Sequence, residues 1–340
     1  MKVALDAQMT IGTATGIGEY VRGLSRALPR VGVDVVELLE PRVDPWRFDR
    51  RVYWDQVLLP KRARASGADI LHCTSGTMPL WLQLPTVVTV HDVAWLRVQA
   101  HTPSYARYYF GRFSIARYRR ASRVVVDSKF SRDELLELGN LPESSMNVVY
   151  PGVDATFGGI DRRGDGRTIL AVGTIEPRKN LEAIVRALPL LSDARLVAVG
   201  PHTPYVDTCA ALAERLGVRH RVEMPGYVTE GELFELYATA AVAAVPSEYE
   251  GFGYAAAQAL CAGLPVAVSD RSSLPEVVAG DAPVIALRDD PAWAAILGDG
   301  LSGRLDERAR AVRAACVRRF AWSASANRMR AIYEEAAQRS

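Results

Sequence analysis

Residues 168–188 read TILAVGTIEPRKNLEAIVRAL, a stretch that predicts one strand, one loop and one helix. The apolar run 168–172 has the length of a buried strand, and apolar residues recur with helical spacing over 180–188. Parallel sheets are built from such units, because a helix must carry the chain back before the next parallel strand can begin. This stretch therefore predicts a parallel α/β sheet.

The same alternation of strand and helix patterns continues on both sides of this stretch. Strands are predicted at 2–7, 69–72, 86–90, 123–127, 168–172, 196–199, 222–223, 241–245 and 265–268. Helices are predicted at 18–28, 131–138, 180–188, 205–216, 230–238, 254–262 and 322–337. Ser131 is predicted to cap the second of these helices, with Glu134 completing a capping box.

A polar, glycine-rich segment divides the pattern into two series. Residues 158–167 (GGIDRRGDGR) show no apolar periodicity and are predicted to link two doubly wound domains. The length of 340 residues also favours two domains of about 150 residues each. In sheets of this kind ligands bind at the carboxyl ends of the strands, so we expect a ligand in the cleft between the domains.

Composition excludes several classes of protein. The chain has 41 basic and 39 acidic residues, a balance that argues against a dedicated nucleic-acid binder. Its four cysteines lie far apart, so neither a zinc site nor a disulfide framework is indicated. No apolar run approaches the roughly 18 residues that span a bilayer. We expect a cytoplasmic protein, with peripheral contact at the inner membrane face left open.

The basic residues are concentrated in one segment. Residues 97–123 contain seven arginines and no acidic residue, interleaved with six tyrosine and phenylalanine residues. Such a segment suits an anionic membrane surface, or a phosphate-bearing or lipid-linked acceptor. The alternative is an ordinary surface helix whose aromatic side chains pack inward.

Two strand-to-helix junctions of the first series carry unusual residues. Gly16 and Gly18 open the first helix, where glycines let the backbone approach a ligand closely. The dinucleotide-binding fingerprint would need a third glycine at the position of Val21. Binding of NAD at this loop is therefore only weakly indicated. His91 follows the strand at 86–90, a position from which it can hydrogen-bond a ligand or transfer protons.

Two junctions of the second series carry charge. Arg178 and Lys179 are adjacent cations at a helix start, which is unfavourable for the helix dipole unless a polyanion such as a diphosphate binds there. The segment 247–254 (SEYEGFGY) contains Glu250 beside a glycine loop whose amides suit phosphate, while the carboxylate suits sugar hydroxyls. The four junctions together indicate a sugar nucleotide as the ligand.

The residues at these junctions resemble a known enzyme family. The ordered segments GIGEYVRGLSRAL, TVHDVAWL, SKFSRDEL, VVYPGVD, VGTIEPRKNL, GYVTEGELFELYATA, PSEYEGFGYAAAQAL and SDRSSLPEV are similar to the retaining glycosyltransferases of the GT-B fold. Specifically, they resemble family 4, the mannosyltransferase-like "glycosyl transferases group 1", whose members act on polysaccharides and other glycoconjugates. The similarity runs through most of the chain.

The resemblance implies two Rossmann-like domains that face a central cleft. Residues 1–155, joined by a C-terminal helix at 322–338 that crosses back, would bind the acceptor. Residues 168–320 would bind the nucleotide-sugar donor.

The resemblance also implies a role for each matching residue. Arg178 and Lys179 would neutralise the departing diphosphate, and Glu250 would bind hydroxyls of the donor sugar. His91 would lie beside the transferred sugar. The remaining donor contacts implied by the resemblance are the first-loop glycines Gly16 and Gly18, the loop amides of Gly251, Phe252 and Gly253, the nucleobase neighbours Gly200, Tyr227 and Val228, and Gln258. At Gln258 the family usually has a glutamate that bonds the ribose hydroxyls.

The implied reaction is a metal-independent transfer of a hexose with retention of configuration. GDP-mannose is the leading donor, ahead of UDP- and dTDP-linked sugars, and the acceptor is a hydroxyl of a glycan, a lipid-linked or a small molecule. Two alternatives stay open: a sugar-nucleotide epimerase on the same fold, and a catalytically silent binding protein, for which Gln258 is the one hint.

Overall fold

The computed structural model describes residues 1–12, 16–81, 84–97, 103–139 and 141–338. Thr15 of the first glycine motif and residues 98–102 of the basic segment lie outside this described part. The chain divides into two compact units. Unit 1 is Met1–Gly152 together with Ala321–Ser340, and unit 2 is Val153–Phe320.

Unit 1 contains a six-stranded parallel sheet in the order β2-β1-β3-β4-β5-β6. Its strands are β1 Lys2–Asp6, β2 Asp34–Leu38, β3 Ile70–Cys73, β4 Thr86–Val90, β5 Arg123–Val126 and β6 Met146–Val148. Its helices before residue 153 are α1 Gly16–Ala27, α2 Phe48–Tyr53, α3 Leu59–Ala65, α4 Ala94–Arg97, α5 Ser104–Arg107, α6 Ser114–Tyr118 and α7 Lys129–Gly139. The π-helical turns Trp54–Leu58 and Tyr108–Phe113 join α2 to α3 and α5 to α6.

Unit 2 contains a second six-stranded parallel sheet, in the order β12-β11-β10-β7-β8-β9. Its strands are β7 Thr168–Val172, β8 Arg195–Val199, β9 Val222–Gly226, β10 Val242–Val245, β11 Val266–Ser269 and β12 Val284–Ile285. Its helices are α8 Ala155–Gly158, α9 Leu181–Ala187, α10 Tyr205–Arg215, α11 Glu230–Thr239, α12 Tyr254–Ala262, α13 Leu274–Val278, α14 Asp290–Leu301 and α15 Asp306–Arg319. The predicted parallel α/β class is confirmed in both units.

Both sheets reverse their strand order at one point. In unit 1 the reversal lies between β1 and β3, and in unit 2 it lies between β7 and β10. The loops that leave neighbouring strands there run to opposite faces of the sheet, which opens a crevice at the carboxyl ends of the strands. The fold thus marks one ligand-binding position in each unit.

The C-terminal helix α16 (Trp322–Ala337) packs on unit 1, in agreement with the fold implied by the resemblance. Five of its side chains enter the unit 1 core: Ala326, Met329, Ile332, Tyr333 and Ala336. The Ser325 hydroxyl donates to the Tyr150 carbonyl at 2.7 Å, and Arg123 pairs with Glu335 at 2.9 Å. Apolar packing and polar contacts therefore both hold this helix on the first unit.

The predicted capping box at Ser131 and Glu134 is wrong. Helix α7 begins at Lys129, so Ser131 lies inside the helix, and its backbone amide donates to the Ser128 hydroxyl at 3.0 Å. Glu134 instead pairs with Arg97 at 2.8 Å. The cap is supplied by a serine three residues earlier, which satisfies the same free amide of the first turn.

The segment 158–167 is not a free linker, contrary to the sequence prediction. Arg162 donates to the carbonyls of Ala238 and Ala240 at 3.1 and 2.7 Å, and the Asp165 amide donates to Thr239 at 2.7 Å. These bonds satisfy the carbonyls that the end of α11 leaves without helical partners. A polar, glycine-rich segment is here held to the body of unit 2.

We predict that Gly23→Ala destabilises the protein. An alanine would ordinarily favour the interior of α1 by about 0.5–1 kcal/mol. Here its Cβ would lie 2.0 Å from Cε2 of Trp322, so the overpacked ring must move, at a cost of about 1–3 kcal/mol. Urea denaturation measures the difference. The matched control is Gly231→Ala in α11, whose Cβ meets no atom within 4 Å. Equal stability of the two variants would contradict close packing of Trp322 on α1.

Candidate functional site

In unit 2 the loops after β7 and β10 are bonded to each other at the reversal point. The Glu248 amide donates to the Arg178 carbonyl at 2.7 Å, and the Arg178 guanidinium donates to the Tyr249 carbonyl at 3.0 Å. The Asn180 side chain donates to the Pro246 carbonyl at 3.2 Å. These bonds hold Arg178 and Lys179, in the loop after β7, opposite the carboxylates of the loop after β10.

Glu250 is the centre of a charged cluster formed with Lys179, Arg178 and Ser247. Oε1 of Glu250 lies 2.5 Å from Nζ of Lys179 and accepts from the Ser247 hydroxyl at 2.8 Å, and Oε2 lies 3.5 Å from Arg178. Arg178 also pairs with Glu176 at 2.7 Å. We call Glu250 and these three partners the Glu250 cluster.

The Glu250 carboxylate stays ionised inside this cluster. Burial acts most strongly on its pKa and raises it, but the charges of Lys179 and Arg178 with the hydrogen bonds of Lys179 and Ser247 outweigh burial, and the net pKa is lowered. Without a bound polyanion, Glu250 supplies a counter-charge to the adjacent cations from within the chain. Binding of a diphosphate at these cations stays a prediction.

The cations nevertheless keep access to solvent. The side chains of Lys179 and Arg178 are 22% and 24% exposed, whereas that of Glu250 is 10% exposed. A cavity of about 30 Å³ lies beside Lys179 and Ser247, at the ends of β7 and β10. An incoming anion would therefore meet the cations before it meets the carboxylate.

Two serines that the sequence reasoning did not assign brace this loop. The Glu250 amide donates to the Ser272 hydroxyl at 2.9 Å, and the Ser273 hydroxyl donates to the carbonyls of Glu250 and Phe252 at 3.0 and 2.8 Å. Both serines follow β11, the strand next to β10. Their position after an apolar strand was the available signal, but only the sheet order shows that they meet Glu250.

Glycines allow close contacts at the same end of this sheet. A Cβ at Gly200 would lie 2.1 Å from the Gly173 carbonyl oxygen, so the loops after β8 and β7 touch through their backbones. The Gly200 amide donates to the Gly226 carbonyl at 2.8 Å, which places it beside the half-exposed Tyr227 and Val228. The structure thus brings the predicted nucleobase neighbours to adjoining strand ends.

The glycine loop leads into α12 with its aromatic side chain turned inward. Gly253 caps the helix at φ +99°, and a Cβ there would lie 2.7 Å from Leu274. Phe252 is 4% exposed and packs against Phe320. Gly251 is buried as well. The contact of the loop amides with a ligand that the resemblance implies stays a prediction.

Gln258 lies in the interior of unit 2. It is 5% exposed, and its Oε1 accepts from the Tyr237 hydroxyl at 3.1 Å. The helix face that carries it packs toward α11. The role at the ribose that the resemblance implies stays a prediction.

His91 stands at the end of β4 with a protein partner at each ring nitrogen. Nδ1 lies 2.6 Å from Oδ2 of Asp127, Nε2 lies 2.8 Å from the Thr74 carbonyl oxygen, and the Tyr20 ring packs edge-on at 4.9 Å. A carbonyl oxygen only accepts, so Nε2 carries a hydrogen. Burial lowers the pKa of His91 most strongly, but Asp127 and the Thr74 carbonyl outweigh it and the net pKa is raised.

The two glycines of the first loop have different environments. Gly16 is the first residue of α1, while a Cβ at Gly18 would lie 2.9 Å from the Met9 carbonyl oxygen. Packing against Met9 is thus one reason for a glycine at position 18. Contact of either residue with phosphates stays a prediction.

A buried charged network at the end of β1 escaped the sequence reasoning. Arg51 lies 2.9 Å from Asp55 and 3.6 Å from Asp6, Asp6 accepts from the Trp54 indole at 3.0 Å, and the Tyr109 hydroxyl donates to Asp55 at 2.9 Å. Asp55 and Tyr109 belong to the two π-helical turns. The network therefore ties both irregular helices to the reversal point of unit 1.

Two further geometric findings concern the described residues only. They contain no group of three or more His, Cys, Asp and Glu side chains placed to hold a metal ion. No helix among them is long and apolar enough to cross a bilayer.

Comparison with known proteins gives the chain its family. Residues 14–157 match the family described as Glycosyltransferase Family 4, and residues 154–315 match Glycosyl transferases group 1. Among solved structures, Anabaena HepE in complex with UDP and glucose superposes with a TM-score of 0.75 at 16% identity, over 98% of this chain and 99% of that one. Sucrose-phosphate synthase from Thermosynechococcus elongatus gives 0.74 at 20% identity, with full coverage of both chains.

Curated relatives agree with these matches. An uncharacterized glycosyltransferase from Methanocaldococcus jannaschii is 34% identical over 46% of this chain and 44% of its own length. A D-inositol 3-phosphate glycosyltransferase from Mycobacterium sp. (strain KMS) is 36% identical over 46% and 39%. The chain thus spans less than half of the length of these two relatives. A D-inositol 3-phosphate glycosyltransferase from Xylanimonas cellulosilytica is 29% identical over 96% of this chain and 93% of its own length.

The two doubly wound units and their structural neighbours define the GT-B fold class. Within that class, the chain belongs to the group 1 and family 4 glycosyltransferases, which confirms the resemblance drawn from its sequence.

We predict that Glu250→Gln destabilises the protein in a pH-dependent way. The folded pKa is lowered, so the carboxylate contributes stability above its unfolded pKa of about 4.3, and this contribution is lost as pH falls through the folded pKa. Urea denaturation at pH 7 and at pH 4 measures the gap between wild type and variant, which should shrink at the lower pH. Glu248→Gln, which changes an exposed neighbour, is the matched control. A gap that does not change with pH would contradict the ionised state of Glu250.

We predict that His91 titrates above pH 6.5 and that Asp127→Asn lowers its pKa. Because the folded pKa is raised, the charged ring stabilises the fold below the unfolded pKa of about 6.5, and this contribution is lost as pH rises through the folded pKa. Side-chain ¹⁵N NMR against pH follows the titration. His72 is an internal reference, because burial lowers its pKa to about 3. A pKa of His91 unchanged by Asp127→Asn would overturn the pairing.

Proposed function

We propose that this protein transfers a hexose from a nucleotide sugar to an acceptor hydroxyl, with retention of configuration and without an essential metal. The observation that carries the proposal is the Glu250 cluster at the reversal point of unit 2. Two partly exposed cations there share one ionised carboxylate on a braced loop, and Arg178 pairs with Glu176 as well. Family membership and the glycine contacts at the neighbouring strand ends support a nucleotide diphosphate as the ligand.

The cluster suits an exchange of partners on donor binding. Phosphate oxygens are strong acceptors of charge-assisted hydrogen bonds, so the donor diphosphate would replace Glu250 at Lys179 and Arg178. The released carboxylate would then accept hydrogen bonds from hydroxyls of the donor sugar. As the sugar–phosphate bond breaks, the two cations stabilise the charge that develops on the leaving group.

His91 acts in this proposal as a positioned ring whose raised pKa favours the charged form. Asp127 and the Thr74 carbonyl hold both of its N–H groups, so a sugar hydroxyl would have to compete with Thr74 for Nε2. A general-base role is disfavoured, because neither nitrogen presents a free lone pair. The acceptor hydroxyl would attack on the face from which the diphosphate departs.

The donor is proposed from similarity to known proteins and from the residues at the strand ends of unit 2. GDP-mannose is our lead, and UDP-glucose is its first competitor because HepE was solved with UDP and glucose. The nucleobase would lie beside Gly200, Tyr227 and Val228. The amides of Gly251, Phe252 and Gly253 would meet sugar and phosphate, and those of Gly16 and Gly18 the phosphates. Gln258 would reach a ribose hydroxyl only by releasing Tyr237.

The acceptor is proposed to be a hydroxyl of a glycan, a lipid-linked or a small molecule. The relatives named D-inositol 3-phosphate glycosyltransferase make inositol phosphate the first small acceptor to test. A panel of GDP-, UDP- and dTDP-sugars with and without acceptor, followed by mass spectrometry, separates the candidate functions. Transfer yields a glycosylated acceptor and nucleoside diphosphate, also in EDTA. An epimerase would yield an isomeric donor without acceptor, and a silent binder would leave the donor unchanged.

We predict that Lys179→Ala lowers kcat/KM at least 100-fold, an effect far larger than its effect on folding stability. The loss is of the size seen when one donor to a developing oxyanion is removed. Steady-state kinetics with the best donor of the panel measures it, and calorimetry with the nucleoside diphosphate measures the loss of binding. The matched control is the exposed Lys61→Ala. Unchanged activity in Lys179→Ala would remove Lys179 from the diphosphate site.

A further inference from the structure

Positive charge is concentrated in one part of unit 1. Residues 46–120 contain 12 basic and four acidic residues, whereas the rest of the chain contains 29 basic and 35 acidic residues. A near-neutral protein therefore carries a segment with a net charge of +8. All the charged residues of this segment lie in the described part of the chain.

Exposed aromatic rings are concentrated in the same segment. The exposed large apolar side chains of described unit 1 are Trp46, Tyr53, Val57, Trp81, Trp95, Tyr105 and Tyr108. Those of unit 2 are Leu190, Leu216, Tyr227 and Val284, of which one is aromatic. Trp81 and Tyr108 are 74% and 61% exposed. Tryptophan and tyrosine at such exposure leave much of an apolar ring in contact with water, beside a polar group able to face water.

Four of these aromatic residues and four exposed arginines lie on adjoining elements, because α4, α5 and α6 all contact the π-helical turn Tyr108–Phe113. Tyr105 contacts Phe48 at a ring distance of 4.6 Å, and Trp95 stacks on Phe110 at 4.9 Å. Arginine side chains bond to the same loops: Arg107 to the Trp95 carbonyl at 3.4 Å, and Arg120 to the Leu80 carbonyl, next to Trp81, at 3.1 Å. We call Trp81, Trp95, Tyr105, Tyr108, Arg107, Arg112, Arg119 and Arg120 the aromatic–arginine surface.

The structure divides the predicted basic segment 97–123 between interior and surface. Arg117 and Arg123 are buried, Arg97 pairs with Glu134 and Glu137, and Tyr109 and Tyr118 lie in the interior. The alternative predicted from the sequence, in which side chains pack inward, thus holds for about half of the segment. The other half is exposed, and it gains Trp81 from a loop that sequence spacing did not connect to it.

The aromatic–arginine surface rests on a rigid base. Tyr109 donates to the buried Asp55, and Gln56 bonds both the Tyr109 hydroxyl at 3.0 Å and the Leu80 amide at 2.9 Å. These bonds join the two π-helical turns and the loop that carries Trp81. The backbone that carries the exposed rings is therefore tied to the buried network.

We propose that the aromatic–arginine surface docks unit 1 on a bilayer that contains anionic lipids. The arginines would meet the headgroups, and the tryptophan and tyrosine rings would enter the interface between headgroups and acyl chains. A soluble polyanion would match the charge, but it would leave the exposed rings in water. Membrane docking goes beyond the proposed transfer reaction and does not depend on it.

Vesicle binding tests this surface on the full chain without donor or acceptor. The probes are large vesicles of phosphatidylcholine alone, or with 30% phosphatidylglycerol, at 50 and 300 mM NaCl. We expect sedimentation with the anionic vesicles only, weakened at least tenfold at the higher salt. Lipids brominated near the headgroup should quench tryptophan fluorescence, which reports insertion of the rings.

Three variants separate charge from aromatic insertion. The triple variant Arg107→Gln, Arg112→Gln, Arg119→Gln should weaken vesicle binding at least 20-fold. The pair Tyr105→Ser, Tyr108→Ser should weaken it with little change in salt dependence. The matched control Arg310→Gln, Arg318→Gln, Arg328→Gln removes the same charge from exposed positions elsewhere and should bind as wild type does. Melting temperatures confirm that each variant is folded.

Heparin in place of vesicles distinguishes the competing partner. Binding to heparin without binding to anionic vesicles would replace the membrane by a soluble polyanion. Vesicle binding by the triple arginine variant equal to that of wild type would overturn the proposal. Neither result bears on donor turnover, so failure here is distinct from failure of the transferase assay.

Discussion

Both sheets of this protein are parallel, and that constraint shapes everything else. Parallel strands cannot be joined by tight turns, so helices must cross both faces of each sheet, and the strand order must reverse once to cover them. The reversal points, between β1 and β3 and between β7 and β10, are the places where loops diverge. The charged network of unit 1 and the Glu250 cluster of unit 2 lie at those two points. Neither arises from local sequence alone.

The two charged groups serve different ends. The Asp6–Arg51–Asp55 network is fully buried and joins the helices that carry the aromatic–arginine surface. The Glu250 cluster keeps its cations partly exposed, so its ion pairs can be exchanged for those of a bound anion. The degree of burial thus separates a charged network that only stabilises the fold from one whose ion pairs can be exchanged.

Positive charge and exposed aromatic rings are also unevenly distributed between the two units. Residues 46–120 have an excess of eight positive charges and present tryptophan and tyrosine rings to solvent. Unit 2 presents one exposed tyrosine and holds the Glu250 cluster. The proposed donor chemistry and the proposed membrane surface thus belong to different units.

The sequence by itself determined the parallel α/β class, several elements to the residue, such as β4, β7, α12 and α16, and the family of the chain. These follow from apolar periodicity and short motifs, which are local properties. Partners distant in sequence were decided only by the tertiary structure. The cations at 178 and 179 meet their counter-charge 71 residues away at Glu250, and Gln258 is turned toward Tyr237 because α12 packs on α11. Arg117 is buried while Arg120 is exposed, although both belong to one basic segment, because α6 ends at Tyr118 and Arg120 lies in the turn beyond the helix.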